Sequence, residues 1–420
     1  MKQILINRKK IVVLIILSVS FLFFSQCLDK KEDKDPRGTA YAGAAACIKC
    51  HQNIYDTYVH TAHNLTASPA SLQTIAGSFS KDSNSFVVND SVKIVMEKSG
   101  NDLQQVMYVN NKEREAHRFD IVLGSVKGQT YLYWKDGNLF QLPVSYFYAL
   151  HSWTSSPGYP AGRVVFNRPI ARRCLECHSS YISESSDQTS GQPNIYSLDK
   201  STLIYNIDCE RCHGPAAEHA VFHTANPAQK EAKYIITYKS LSRSQKIDMC
   251  AVCHSGNKFP MLQSVFGFKP GDTLSNFMLT QFPGAALPDE TAPEVHGNQI
   301  KLLAKSKCFV MSNMDCATCH NTHVKDRGNN TVYALKCMTC HSVATHNFCK
   351  MATPSTISFF ENNCTACHMP AQPSKAIMVQ TSETKNNMPC TVVNHQIAIY
   401  PEASKKVMAY LKERDNEKKN

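Results

Sequence analysis

The motif Cys-x-x-Cys-His occurs seven times in this chain of 420 residues, and every Cys-x-x-Cys in the sequence is followed directly by His. Only 17 His are present, so composition alone does not produce this coincidence. In this motif the two thiols bond covalently to one c-type haem, and the His supplies the proximal ligand of the iron. The motif cysteines are Cys47, Cys50, Cys174, Cys177, Cys209, Cys212, Cys250, Cys253, Cys316, Cys319, Cys337, Cys340, Cys364 and Cys367. The motif histidines are His51, His178, His213, His254, His320, His341 and His368.

Two other uses of paired cysteines fit the sequence less well. Zinc ribbons and thiol redox enzymes also use Cys-x-x-Cys, but neither needs a His directly after the second cysteine. The motifs therefore predict seven covalently bound c-type haems, each with iron, and a protein that carries electrons. Cys27, Cys308, Cys349 and Cys390 lie outside the motifs. The last three are left either free or, for two of them, joined in a disulfide.

The N-terminus has the pattern of an export signal. Basic residues precede the apolar run Ile11–Phe24, which is short for a membrane span and typical of a signal peptide. The run ends before Cys27 in a sequence that looks like a bacterial lipoprotein processing site, although Gln26 stands where a small residue is usual. We predict a signal peptide over residues 1–26 and a lipid anchor on Cys27, which makes the protein an exported, periplasmic or outer-membrane-associated lipoprotein. An ordinary signal peptide, or an uncleaved anchor in which Cys27 has no part, is the alternative.

The charged residues near the N-terminus predict a tether, and the overall charge does not predict nucleic-acid binding. Residues 27–40 are rich in Lys and Asp and read as a solvated connection between the membrane and the domain. The formal net charge is +11. Part of it lies in the predicted signal peptide, and the remaining Lys and Arg are suited to pair with haem propionates. We expect the membrane and redox proteins or quinol-linked electron donors as partners, and no nucleic acid.

Regular secondary-structure patterns are confined to two parts of the chain. Residues 78–150 contain short alternating segments rich in Val, Ile and Tyr, and the hairpin signal Asp136-Gly137, so we predict a small antiparallel β insert there. Pro401 and the apolar spacing after it predict a C-terminal helix and charged tail over residues 401–420. The fold predicted for residues 41–400 is a multihaem cytochrome c domain, mainly short helices and loops wrapped around stacked haems.

Four segments around the motifs follow the pattern of a known family. They are His51 followed by Thr61-Ala62-His63, the run Cys209–His219, the run Cys316–His323, and Cys364–Pro370 with His395 downstream. These segments resemble haem units of the multihaem cytochrome c family that includes tetrahaem cytochrome c-554, and of the superfamily of hydroxylamine oxidoreductase and pentahaem nitrite reductase. That superfamily contains both carriers and enzymes. The nitrite reductases typically replace one motif His by Lys, and this sequence has no Cys-x-x-Cys-Lys.

Ten histidines lie outside the motifs and are candidates for the second axial ligand of each iron. Two imidazoles close the iron and suit it to electron transfer, whereas an open position suits substrate binding. The resemblance implies distal ligands first at His63, His219 and His323, and then at His296, His346 and His395. The rivals for the remaining place are His60, His117, His151 and His223.

The function predicted from the sequence is that of an exported heptahaem c-type cytochrome that relays electrons through bis-histidine haems. The alternative is a multihaem oxidoreductase that acts on a small inorganic nitrogen or sulfur species at one open haem. The second and fourth motifs are the candidates for that haem, because His178 and His254 lack a nearby downstream His of the kind seen at His219 and His323. No catalytic residue is assigned.

Overall fold

A computed structural model describes residues 34–159, 162–185, 197–256, 260–279, 294–382 and 386–417. The strands are β1 Ala67–Pro69, β2 Ser85–Asn89, β3 Val92–Ser99, β4 Asp102–Val109, β5 Lys112–Arg118, β6 Ile121–Leu123, β7 Gly128–Lys135, β8 Asn138–Gln141, β9 Val144–Phe147, β10 Ser152–Ser155, β11 Arg168–Pro169, β12 Ser179–Glu184, β13 Leu198–Tyr205, β14 Ala371–Val379 and β15 Met388–Val393. The helices are α1 Ala44–Tyr58, α2 Arg172–His178, α3 Cys209–His213, α4 Ala217–Ala225, α5 Arg243–His254, α6 Gln299–Ala304, α7 Lys307–Val310, α8 Asn330–Met338, α9 Ile357–Phe360, α10 Cys364–His368 and α11 Pro401–Glu417. None of the helices in these ranges has both the length and the apolar character that a membrane span needs.

The predicted fold class is wrong, because the chain is rich in β structure. Helix makes up 31% and strand 25% of it, so the chain is not mainly short helices and loops around haems. The described residues form antiparallel sheets of seven, four, two and two strands. The β structure is also not confined to residues 78–150, since it begins at Ala67 and returns in β12 to β15. Sequence analysis missed these strands because a strand depends on a partner strand that its own local pattern does not reveal.

Two of the sheets form a β region, residues 67–169, between the first and second motifs. The smaller sheet has the order β2-β3-β4-β5. The larger has the order β1-β6-β7-β8-β11, and β9 joins it by pairing with β7 and β10. At the tip of the β7–β8 hairpin, Asp136 and Gly137 have φ angles of 50° and 72°, the left-handed conformation that a tight two-residue hairpin turn requires.

An apolar core joins the two sheets of the β region. Ile94 and Met96 of β3 and Tyr131 of β7 belong to it and are fully buried. Removing a side chain of this size from water stabilises the fold by about 1.5–3 kcal/mol. Gly77 lies against the ring of Trp153, and a Cβ at this position would be 2.1 Å from that ring. The packing there therefore requires glycine.

The two-stranded sheets connect segments that carry motifs. β12 and β13 run from α2, which holds the second motif, to α3, which holds the third. β14 and β15 run from α10, which holds the seventh motif, to the segment of His395. Leu175 of α2 is buried in a second apolar cluster with residues of the β region, among them Leu132. The motifs are thus fixed to a β scaffold.

Candidate haem sites

Each motif lies on a short helix or helical turn, so that its two cysteines and its histidine share one side of the backbone. Local caps begin several of these elements. Asp208 caps α3 and Asp315 caps the turn of the fifth motif. Ser242 and Gln245 form a capping box at the start of α5. In α1 the backbone leaves the helical conformation at His51, with φ −114° and ψ 35°.

Four motif histidines each face a second imidazole, and the distance between the two rings is similar in all four pairs. The pairs, with the distance between ring centres, are His51 and His219 at 6.5 Å, His254 and His63 at 6.2 Å, His213 and His323 at 5.9 Å, and His320 and His395 at 6.2 Å. Each pair joins one histidine of a motif to one from outside the motifs. The first, fourth, third and fifth motifs therefore each have a facing imidazole.

This spacing fits axial ligation of one iron by two imidazoles. An imidazole nitrogen lies about 2 Å from a bound transition metal and the ring centre about 1 Å further out, so two rings on opposite sides of one metal are about 6 Å apart. Rings in direct contact lie closer, as His219 and His223 do at 4.5 Å. The four pairs therefore have the separation that a metal between them requires.

In six histidines, three of them members of the facing pairs and three of them motif histidines outside the pairs, Nδ1 is held by an oxygen acceptor, which also fits metal ligation. The Nδ1–H groups donate to Thr66 O from His178 at 3.3 Å, Lys233 O from His219 at 2.8 Å, Gln299 Oε1 from His254 at 3.2 Å, Asn347 O from His341 at 3.2 Å, Ala398 O from His368 at 3.0 Å and Val393 O from His395 at 3.3 Å. Such a bond fixes the tautomer, orients the ring and leaves Nε2 with a free lone pair for iron.

Burial favours the neutral form of four histidines of the motifs and of the facing pairs. It lowers the pKa of His63 to about 4, with a further contribution from His254, and it lowers the pKa of His395 to about 4 as well. Burial also lowers the pKa values of His178 and His213. A neutral imidazole is the form that binds a metal, so these residues are ready to ligate at neutral pH.

The motifs lie against one another through their thiols. Four pairs of thiols from different motifs lie close together: Cys47 with Cys209, Cys177 with Cys253, Cys250 with Cys316, and Cys337 with Cys364. These contacts join the first motif to the third, the second to the fourth, the fourth to the fifth, and the sixth to the seventh. Cys212 also lies near Cys253, and Cys337 near Cys319. All seven motifs thus belong to one continuous set.

A buried charge cluster fixes the first motif to the third. The Arg37 guanidinium binds Asp35, Asp208 and Glu210 at 2.8, 2.8 and 3.2 Å, and its side chain is 4% exposed. Glu210 also accepts hydrogen bonds from the backbone N–H groups of Ala42, just before α1, and of two further residues. The end of the predicted tether is therefore docked and not solvated, because its Arg has three carboxylates to bind.

Sequence analysis did not identify this cluster, although a signal for it was present. Two motifs carry a Glu between their cysteines, Glu176 in the second and Glu210 in the third, and both are buried. A buried carboxylate needs a cationic partner and further hydrogen bonds. Arg173 and Arg172 lie 3.8 and 3.4 Å from Glu176. An acidic residue inside a haem motif is thus a reason to look for a buried Arg.

Two of the predicted distal ligands are not in a facing pair. His296 is exposed and lies near His178 and His254. Its backbone N–H donates to Glu294, a carboxylate that also binds Ser374. His346 is exposed and has a φ of 53°. The structure brings neither ring within the spacing of the four pairs.

The four other candidates for a distal ligand, His60, His117, His151 and His223, are in none of the four facing pairs. His117 belongs to β5, bonds to Glu115 at 2.7 Å and packs on Tyr133 at 4.1 Å between ring centres. His223 packs on His219, while His60 and His151 are exposed.

Cys308, Cys349 and Cys390 form no disulfide. Within the described ranges, no group of three or more His, Cys, Asp or Glu is arranged to hold a metal ion.

Comparison with known proteins gives one match. Residues 162–214 match the family described as Cytochrome c554 and c-prime, over a stretch that contains the second and third motifs. No curated protein and no solved structure matches the chain. The match supports a c-type cytochrome, and with it covalently bound haem, iron and electron transfer. It does not support the hydroxylamine oxidoreductase and nitrite reductase superfamily that the sequence resemblance also named.

Proposed function

We propose that this protein is an exported heptahaem c-type cytochrome that relays electrons through haems closed by two histidines. The observation that carries the proposal is the set of four facing imidazole pairs, each 5.9–6.5 Å between ring centres. When bound at such a pair, the haem iron takes up and releases single electrons. The two imidazoles of such a pair would hold the iron between them, and they would exclude other ligands from it in both oxidation states.

The contacts between motifs support a relay. The thiol pairs give a path from the first motif through the third, fourth, fifth and sixth to the seventh, with the second motif attached at the fourth. Each thiol is an attachment point of its porphyrin, so motifs in contact hold their porphyrins close. Electron transfer between cofactors weakens steeply with distance, and a continuous path therefore favours a carrier that passes electrons across the molecule.

Export and a lipid anchor on Cys27 complete the proposal. Haem attachment to so many thiols fits an exported protein, and Cys27 follows the apolar run of the N-terminus. We propose a periplasmic or outer-membrane-associated location, with redox proteins or quinol-linked donors as partners. Cys27→Ala is expected to move the protein out of the detergent-soluble membrane fraction or to leave it unprocessed. The matched variant Cys390→Ala should leave it in the membrane fraction.

The number and ligation of the haems are the direct test. Intact mass and the pyridine haemochrome assay are expected to agree on seven haems per chain, and low-temperature EPR of the oxidised protein should be mostly low-spin. His63→Ala should convert one low-spin signal, that of the fourth motif, to high-spin, whereas the nearby variant His60→Ala should not. Fewer haems, or an unchanged spectrum in His63→Ala, would contradict the proposal.

A second function is favoured by one observation at the second motif. Like His341 and His368, His178 has no facing imidazole at the spacing of the four pairs among the described residues, but the imidazole of His296 lies near it. An open haem there, with His296 as a proton donor, suits an oxidoreductase acting on a small inorganic nitrogen or sulfur species. The fourth motif is the weaker candidate, because His63 faces His254. A high-spin signal together with turnover of nitrite, hydroxylamine or a sulfur oxyanion would favour this function.

A further inference from the structure

The last part of the predicted tether, from Asp35 to Ala40, is fastened beside the first and third motifs. Arg37 binds Asp208, directly before the third motif, and Glu210 within it. Glu210 accepts hydrogen bonds from the backbone N–H groups that lead into α1. Ala40 O accepts a hydrogen bond of 3.0 Å from Ala217 N, at the start of α4. The chain therefore leaves the domain beside α1 and α4.

The length of chain before this point limits where the membrane can be. Seven residues, 28–34, separate Cys27 from Asp35, the first residue that Arg37 binds. An extended chain spans at most about 3.3–3.6 Å per residue, so Asp35 lies within about 30 Å of an anchor on Cys27. A folded chain of this length has a radius of gyration of about 20 Å and a diameter of roughly 50 Å. The tether is shorter than the molecule is wide.

We propose that the first and third motifs form the membrane-facing end of the protein, and that the lipid surface lies against α1 and α4 beside them. The inference rests on the proposed lipid anchor at Cys27. Beside these motifs α4 presents an apolar side chain to solvent, since Val221 is 71% exposed. Apolar side chains at the edge of a lipid headgroup layer favour contact with it.

This orientation has a consequence for the direction of electron flow. A donor confined to the membrane meets the first and third motifs before any other. Electrons then pass from these motifs towards the fourth, and from there towards the fifth, sixth and seventh. The sixth and seventh motifs come last on this path, so a diffusing acceptor is expected to take electrons from them.

The orientation can be measured on the intact, lipidated protein with all its haems. The protein is bound to vesicles of phosphatidylethanolamine and phosphatidylglycerol that contain a small fraction of lipid with a photoactivatable headgroup. After illumination, crosslinked peptides are identified by mass spectrometry. Crosslinks are expected mainly on peptides of α1, of α4 and of residues 226–233 after α4. Crosslinks mainly on the β region or on α11 would overturn the proposal.

A longer tether is the matched control, because it leaves the domain unchanged. Inserting about twenty Gly and Ser residues between Lys31 and Glu32 makes the connection flexible and longer than the molecule is wide. The crosslinks should then spread over the whole surface. An unchanged pattern would overturn the proposal, since the orientation would not depend on the tether. Protein that does not sediment with vesicles would refute the lipid anchor itself, and this result is distinct from crosslinks in the wrong place.

Discussion

The β region, residues 67–169, and the C-terminal motif region, residues 307–417, are similar in length but are held together differently. The β region has two sheets joined by an apolar core that includes Ile94, Tyr131 and Leu142. In the described part of the C-terminal motif region the buried apolar side chains are Phe309, Ala334, Phe360, Val379 and Leu411, and none of them belongs to the clusters of the β region. This region carries three motifs. We expect covalent haem attachment to take the place of an apolar core in this region.

The first prediction concerns the chain without its haems, where we expect the largest effect. In a host that lacks haem attachment, the C-terminal motif region should not fold, because its few buried apolar side chains do not offset the entropy of ordering the chain. The β region should fold on its own core. Limited proteolysis with mass spectrometry should then give a protected fragment that spans residues 67–169. Protection of residues 307–417 in the haem-free chain would contradict the comparison.

The second prediction breaks the charge cluster that joins the first and third motifs. Glu210→Ala leaves Arg37 with fewer partners and the N–H groups before α1 without an acceptor. Removing one partner from a buried set of charges costs about 3–5 kcal/mol. Denaturant unfolding followed by circular dichroism should show this loss. The exposed pair of Glu402 and Lys405 is the control, since Glu402→Ala should cost less than about 1 kcal/mol.

The third prediction tests the core of the β region alone. Leu142 is fully buried, and Leu142→Ala is expected to lower the free energy of unfolding by about 2–5 kcal/mol through lost burial and a residual cavity. The haem spectrum and the number of haems per chain should stay as in the wild type, because the core is separate from the motifs. Leu72→Ala, at a position that is 50% exposed, should change little. Loss of haem from Leu142→Ala would show that the two regions are coupled.

The fourth prediction concerns acid and has the smallest expected effect. Burial raises the pKa of Asp35, but the hydrogen bonds and charge of Arg37 outweigh burial and hold the pKa below its ordinary value of 3.8. The pairing therefore stabilises the fold above the ordinary pKa and is lost as the pH falls through the lower, folded value. Between about pH 5 and pH 3 the wild type should lose more stability than Asp35→Asn. The measurement is the unfolding midpoint of both proteins at each pH in this range. If Asp35 had no such role, the plots of midpoint against pH for the wild type and for Asp35→Asn would run parallel.

Several parts of the site follow from sequence, while the pairing of ligands does not. The family resemblance implies distal ligands at His63, His219, His323 and His395, among others, and each of these four faces a motif histidine in the structure. Which motif each one faces was not predictable. His63 lies twelve residues after His51, yet it faces His254. The packing of distant segments brings a distal histidine to the motif histidine that it faces. The spacing of these residues along the chain does not predict that packing.

The sequence alone determined the chemistry of this protein, because the covalent attachment of a c-type haem needs only five consecutive residues on one turn of backbone. It also marked the hairpin at Asp136-Gly137, where the turn geometry depends on the two residues themselves. Tertiary structure decided the rest. The β sheets, the Arg37 cluster and the order of contacts from motif to motif all depend on residues far apart in sequence. Strand pairing, ion pairs between buried groups and the approach of two imidazoles are interactions between distant segments, so only the folded chain defines them.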